Sequence, residues 1–486
     1  MDSKGSRVQG VERMKTVDVG SLLDDGHWGG YQKLLVFATA LIIVLDGLDN
    51  QVFGPVISVL QKEWGGLPRT AFTPVLTYGM VGMMIGGAIG GIIGDRLGRR
   101  IALLGSLLWF GLLTLLLPIS TTPQMLIVLR FLAGLGLGGA MPNAAALSSE
   151  YVPTRHRPFA VTLTIMCIPF GGSLAGFVAG QVLPRWGWHT LFIICGTIPL
   201  VLLAILLKVL PESPRFMARQ KARWGELATL MRRLGHDVPQ DAVFADTREK
   251  AVKQASLKEL FVPEYLRDTI ALCGSFFFCL LSVYMGTNWV PSMLNSAKFS
   301  VGTASYGLTA FNFGGVVGAV LGAALIVRLG SRLSMLGMSA AAIAGTAVLA
   351  TMQVGPENTF LVFAMLAWTG GLINAVQTTM YALAAHVYPT SIRSTGVGTA
   401  VAFGRIGGVV SPSLGSWALA GGAAGYAGLL SPDLGAWAKA GGASPYFAVI
   451  GCTMTLAFIS LAVVRNHVPG RSSGVTVGAR AVATAH

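Results

Sequence analysis

Two carboxylates, Asp46 and Asp49, stand in "VLDGLDNQVFG" (44–54), inside an apolar run from about Leu34 to Leu60. A charge at the centre of a membrane span costs roughly 2.5–3.5 kcal/mol, so such residues persist where they face a wet cavity or a partner. Three positions apart, they share one helical face. Two arginines stand in similar surroundings, Arg130 about six residues into one apolar run and Arg405 about eleven into another. At about 1.5 Å per residue, Asp46 lies about 20 Å from one end of its run. Arg130 lies about 9 Å from the opposite end of a core roughly 30 Å thick, so the depths agree. Burial and a neighbouring like charge favour a protonated carboxyl, whereas a nearby arginine favours the ionised one. A carboxylate whose surroundings alternate can therefore take up a proton on one side and release it on the other, with Asp46 and Asp49 as carriers and Arg130 as counter-ion. The alternative is a static pair with Arg130, or a cap at a helix break at Gly47. Arg405, about 16 Å into its run, can take a carboxylate through its planar fork, or can bond helix carbonyls or Asp46.

The elements that must position these residues are membrane helices. Hydrophobic residues make up 53% of the chain and charged residues 12%, and mean hydropathy is +0.65, which no ordinary soluble domain shares. Runs of about 20 apolar residues, long enough to span a bilayer, recur at about 34–60, 72–93, 101–119, 124–149, 158–182 and 188–209. They recur again at about 269–295, 303–327, 333–353, 359–386, 394–420 and 445–466. The expected fold is an all-α membrane protein with twelve transmembrane helices in two pseudo-symmetric six-helix bundles, 34–210 and 269–466. Residues 1–33 form an N-terminal segment, 211–268 a linker with short surface helices, and 467–486 a tail. All three are expected in the cytoplasm. The Gly/Ala-rich stretch 421–445 faces outside on this topology.

Charge placement agrees with that orientation. Of 35 Lys and Arg residues, only Lys62, Arg69, Arg185, Lys298 and Lys439 fall in outer loops and Arg130 and Arg405 in spans; the other 28 lie inside. The net charge of +14 therefore reflects topology and gives no basis for nucleic-acid binding. Cys167, Cys195, Cys273, Cys279 and Cys452 lie in spans without metal-ligand spacing and read as packing residues. No nucleophile–base or metal constellation is present, so neither an enzyme nor a cofactor is expected.

The chain repeats itself. "RLGRR" (96–100) and "RLGSR" (328–332) are 232 residues apart, and "PTRHR" (153–157) and "PTSIR" (389–393) are 236 apart. A tandem duplication of a six-helix unit is the arrangement expected when two halves rock about a central site, which favours a transporter over a receptor or membrane enzyme.

"GDRLGRR" (94–100) after the second span resembles the signature loop of the major facilitator superfamily. "LDGLD", "RFLAGLGLGGAMPNAAALSSEY" (130–151) and "YPTSIRSTGVGTAVAFGRIGG" (388–408) resemble the aromatic acid/proton symporter family within it. The resemblance spans about 30–465 and implies proton-driven import of a small aromatic carboxylate, of hydroxybenzoate or phenylpropionate type, across a bacterial inner membrane. A non-aromatic acid such as muconate, drug/proton antiport and a transporter-like receptor are the alternatives. The chain departs from the pattern twice. Val327 replaces the acidic residue of the second loop copy, and "CIPFGGSLAG" (167–176) lacks the Gly-Pro-x-x-Gly-Gly pattern of drug antiporters.

An aromatic ring needs flat apolar walls with a few orienting polar groups. Tyr284, Asn288, Phe311, Asn312, Trp368, Asn374, Gln377 and Tyr381, together with Arg405, are the candidate substrate residues. His386 near a span end is more simply a packing or capping residue than a proton relay. Gly82, Gly86, Gly90 and Gly94 form a smooth stripe that permits either sliding between halves or static packing. Gly94, Asp95, Arg96, Gly98, Arg99 and Arg100 form the candidate gate, with Asp95 capping a neighbouring helix or pairing with an arginine of the facing half. Protons, the bilayer and one small carboxylate are the expected partners, and a monomer the expected state.

Overall fold

The structure is a computed structural model that describes residues 16–239, 242–245, 257–389, 392–420 and 443–469. Nearly all of these lie in helices. The first run is split into α2 (Gly30–Gln51) and α3 (Phe53–Glu63), followed by α4 (Thr73–Leu97), α5 (Arg99–Leu116) and α6 (Pro123–Tyr151). The helix α7 (Arg157–Val209) changes direction at Gly187, whose φ of 74° only glycine adopts readily, so it makes two passes. After the linker come α10 (Pro263–Ser296), α11 (Val301–Leu329), α12 (Ser331–Thr351), α13 (Thr359–Val387), α14 (Arg393–Leu419) and α15 (Ala443–Val463). Ten segments among the described residues are long and apolar enough to cross a membrane, with both passes of α7 falling in one of them. The 27-residue α14 is less apolar.

Local sequence sets the boundaries. Thr122 accepts a hydrogen bond from the Met125 amide (3.3 Å) with Pro123 behind it, and Ser300 accepts one from the Thr303 amide (3.1 Å), so both helices begin on capped ends. The repeated RLG motif has one mechanical purpose in both copies. Gly98 (φ 111°) and Gly330 (φ 83°) make the positive-φ corners between α4 and α5 and between α11 and α12.

The pairing of helices also repeats. In the first half α4 and α5 pack on α6, and α2 and α5 on α7; in the second α11 and α12 pack on α13, α10 on α14, and α12 on α15. Pairs that cross between the sets include α7 with α11, α4 with α14 and α3 with α10. The glycine stripe of α4 belongs to packing within the first set. A Cβ at Gly82, Gly86 or Gly90 would collide with α6 backbone at Phe131, Leu135 and Gly139, and one at Gly94 with the Asn143 side chain. Asn143 fastens this seam by donating to the Gly90 and Gly139 carbonyls, 2.8 Å each. The stripe is thus a close-packed contact within one set and not a sliding surface between two.

The N-terminal segment and the linker, expected as separate pieces, meet. A strand β1 (Thr16–Asp18) pairs in parallel with β2 (Val243–Ala245), and α1 (Val19–Asp24) packs with α8 (Pro214–Ala218) and α9 (Trp224–Arg233) through Val19, Leu23, Met217, Leu227 and Met231. Asp24 pairs with Arg157 and with Arg215 (3.1 Å), tying this unit to α7. The 421–445 stretch up to residue 442 and the tail from 470 onward lie outside the described residues, as do 1–15.

Candidate functional site

A cavity of about 260 Å³ lies between the two sets of helices. Its first wall carries Asp46, Asn50 and Gln51 from α2, Met80, Met83 and Met84 from α4, and Met141 from α6. The second carries Tyr284 and Thr287 from α10, Asn312 from α11, Asn374, Gln377 and Tyr381 from α13, and Arg405 from α14. Helical phase decides membership. Along α13, positions 374, 377 and 381 recur every three or four residues and fall on one face.

The two acidic residues part company. Asp49 is fully buried inside the first set: Thr114 donates to its Oδ1 (2.6 Å) and Arg130 to its Oδ2 (3.2 Å). Arg130 also reaches the carbonyls of Asp49 and Asn50, and its guanidinium stands 5.5 Å from the centre of the Phe53 ring. Asp46 lines the cavity, and its buried Oδ1 has no hydrogen-bond partner among the described residues. The alternative of a cap at a helix break at Gly47 does not hold, since α2 continues through it; the backbone of Ile168 lies against Gly47, so glycine serves a close approach of α7.

Arg405 enters the cavity from α14 and donates weakly to the Met83 carbonyl across it (3.3 Å). Gly87 makes room for it, because a Cβ there would meet Arg405 Nη1. Asn312 Nδ2 donates to Gln51 Oε1 (2.8 Å), joining the two walls.

Three candidates fall outside the cavity. Trp368 is 56% exposed on the outward face of α13, six positions and so some 240° round the helix from Asn374. Phe311 is buried against Gly286 and Gly370, one residue out of phase with Asn312. Asn288 is buried, with its backbone carbonyl against Gly54 of α3, and Thr287 faces the cavity in its stead. His386 is exposed and does not line the cavity. The residues missed were Asn50, Gln51 and the methionines. Met80, Met83 and Met84 show helical spacing, a legible but unspecific signal, and supply a wall that adapts to a ligand.

The candidate gate residues are anchored to their own half. Asp95, 64% exposed, pairs with Arg99 one turn on (2.5 Å), where a cap on a neighbouring helix or an arginine of the other half was expected. The Arg100 amide donates to Glu212 (2.9 Å), and Gly98 sits directly on the Glu212 carboxylate. Arg99 reaches Asn143 (3.4 Å), and Arg96 is exposed. At the opposite end the two sets touch closely: Gln181 donates to Tyr306 (2.6 Å), Thr309 to the Ser173 carbonyl (3.1 Å), and Arg69 to Ser296. Gly54, Gly176 and Gly180 lie so close to α10 and α11 that a Cβ would collide. The cavity extends the other way, to Ala145 and Val401 near the ends of α6 and α14 that flank the 94–100 loop.

A duplicated helical membrane fold with an interior site at the seam is the architecture of a secondary transporter. The sequence model of the Major Facilitator Superfamily matches residues 39–412. The chain is 34% identical over 400 residues to a gallate transporter of Pseudomonas putida, covering 82% of this chain and 88% of the other. It is 31% identical over 405 residues to the 4-hydroxybenzoate transporter PcaK of Acinetobacter baylyi, covering 82% and 88%. Among solved structures, a bacterial homologue of the human lysosomal transporter Spinster, inward-facing and unoccupied, superposes with a TM-score of 0.62 at 17% identity, over 90% of this chain and 97% of that one. A D-xylose–proton symporter gives 0.60 at 17% identity, over 88% and 97%. The chain belongs to the major facilitator superfamily, in the family that contains these aromatic acid transporters. It is a multi-pass membrane transporter and not an enzyme.

Proposed function

We propose that this protein is a proton-coupled importer of an aromatic carboxylate, of hydroxybenzoate or phenylpropionate type, working by alternating access in a bacterial inner membrane with both termini cytoplasmic. One observation carries the reading: one mixed cavity holds a carboxylate without a hydrogen-bond partner among the described residues, Asp46, on one half and a guanidinium, Arg405, on the other. The relatives named for gallate and 4-hydroxybenzoate support the substrate class.

In this reading Arg405 binds the substrate carboxylate and the methionines pack on the ring. Tyr284, Asn374, Gln377 and Tyr381 orient ring hydroxyls. The volume of about 260 Å³ lies just under the range for drug-sized ligands, as a single-ring acid requires. Asp46 carries the proton, and its field with Arg405 spans the two halves. An empty site draws the halves together through Asp46 and Arg405, while substrate on Arg405 and a proton on Asp46 neutralise both, so loaded and empty carriers alternate without an uncompensated charge. Asp49, held by Arg130 and Thr114, sets the shape of the first half and does not shuttle. This geometry is the inward-facing state, closed at the 64–69 end. On closing the 94–100 loop end, Asp95 exchanges Arg99 for an arginine of the facing half. The cavity lies within one chain, so the monomer is the transporting unit.

With one proton per monoanion no net charge crosses, whereas a second proton would add about 2.3 kcal/mol per 100 mV. The test is uptake of labelled gallate, 4-hydroxybenzoate and muconate into proteoliposomes under a pH gradient or a membrane potential imposed separately. Accumulation of an aromatic acid driven by the pH gradient, insensitive to potential and lost in Asp46→Asn with binding retained, is the expected result. Accumulation of muconate alone, drug efflux, or unchanged driven uptake in Asp46→Asn would sink the proposal.

A further inference from the structure

A second cavity, of about 550 Å³, lies outside the transport path, where the start of α5, the end of α7 and the linker helix α9 converge. Its walls carry Arg100, Lys208, Arg223 and Arg233 against Glu212 and Glu226. The two acids are already engaged. Glu212 accepts the amides of Arg100 and Ser213 (2.9 Å each), and Glu226 takes both hydrogen bonds of Arg223 (3.0 and 2.8 Å). Lys208 and Arg233 have no ion-pair partner among the described residues, and the buried Nε of Arg100 has no hydrogen-bond partner among them. Lys208, Arg233 and the Nε of Arg100 are therefore donors in this cavity that no acceptor among the described residues receives.

Its position adds a second constraint. Arg100 and Lys208 stand at the ends of membrane helices, and their neighbours Ile101, Ile205 and Leu207 are all more than half exposed. Arg100 Nη2 bonds the Leu207 carbonyl (2.6 Å), so the basic wall is joined directly to that apolar strip. A ligand that satisfies both features has a phosphate at the water–membrane boundary and acyl chains beside it. We propose that this cavity binds the headgroup of an anionic phospholipid, with Lys208 and Arg233 as its main charges and Arg100 as a donor from the gate loop. Bound there, the phosphate bridges the helix ends to the linker and meets the loop through Arg100. The proposal is independent of the substrate carried.

The test uses the full chain in a neutral detergent, titrated with phosphatidylglycerol or phosphatidylcholine and read by native mass spectrometry. Phosphatidylglycerol is expected to bind at least tenfold more tightly than phosphatidylcholine. Lys208→Gln with Arg233→Gln should weaken it by roughly ten- to thirtyfold, at about 1 kcal/mol for each charge, while Lys208→Arg with Arg233→Lys retains it. Both side chains are exposed and make no ion pair among the described residues, so these variants keep the thermal midpoint of the parent chain. Equal retention of the two lipids by the unmodified chain, or a neutralised variant that binds as before, overturns the proposal. Displacement of the lipid by millimolar inorganic phosphate would overturn it too, by making the cavity a site for soluble anions.

Discussion

The division of labour between Asp46 and Asp49 yields a sharp prediction. Asp49→Asn keeps the volume and an acceptor for Thr114 but leaves the Arg130 guanidinium, 4% exposed, as a buried positive charge without a counter-ion. Breaking a buried pair by removing one partner costs about 3–5 kcal/mol, while replacing both partners with apolar groups is often neutral. For 486 residues the entropy of unfolding is on the order of 1 kcal/mol per kelvin. Asp49→Asn should therefore lower the melting midpoint by about 3–5 °C, and Asp49→Leu with Arg130→Met should recover most of that. Asp46→Asn removes an unpartnered buried carboxylate and should leave the midpoint unchanged or raise it. Thermal unfolding of purified protein in detergent measures the first set, and gradient-driven uptake normalised to folded protein measures the second. An Asp49→Asn variant that melts like the parent yet loses gradient-driven uptake would overturn this assignment, for then Asp49 carries a proton and its pairing with Arg130 is part of the cycle.

Arg405→Lys trades a planar fork for a point charge, which should weaken aromatic acid binding about tenfold or more while insertion stays normal; unchanged affinity by calorimetry would remove Arg405 from the substrate site. Tyr306→Phe removes the hydroxyl that Gln181 reaches across the closed end (2.6 Å). Loss of one such bond, worth about 0.5–1.5 kcal/mol, should move the population two- to tenfold away from this state. Spin-label distances across the 64–69 end would read the shift, and an unchanged distribution would refute it.

Residue types and periodicity were enough to reveal the membrane helices and to put Arg130 level with the two acidic residues, of which it pairs with Asp49, because hydropathy and chain rise act along one dimension. The offset of 232 likewise marked two equivalent corners, where both RLG glycines have positive φ. The resemblance carried by the 94–100 loop and the "LDGLD" span pointed to the family that the comparisons show.

What the tertiary structure decided was which side of each helix meets what. Asp46 and Asp49 share a nominal face, yet three steps of about 100° leave them about 60° apart around the helix, and that offset sends one to the cavity and the other to Arg130. The same phase assigned Asn312 and not Phe311, Thr287 and not Asn288, and turned Trp368 outward. Neighbouring helices set these choices, since the glycine seams at Gly47 against α7 and at Gly82–Gly94 against α6 fix how each helix is rotated. A one-dimensional pattern specifies that a helix has a polar face, but only close packing against its partners determines where that face points.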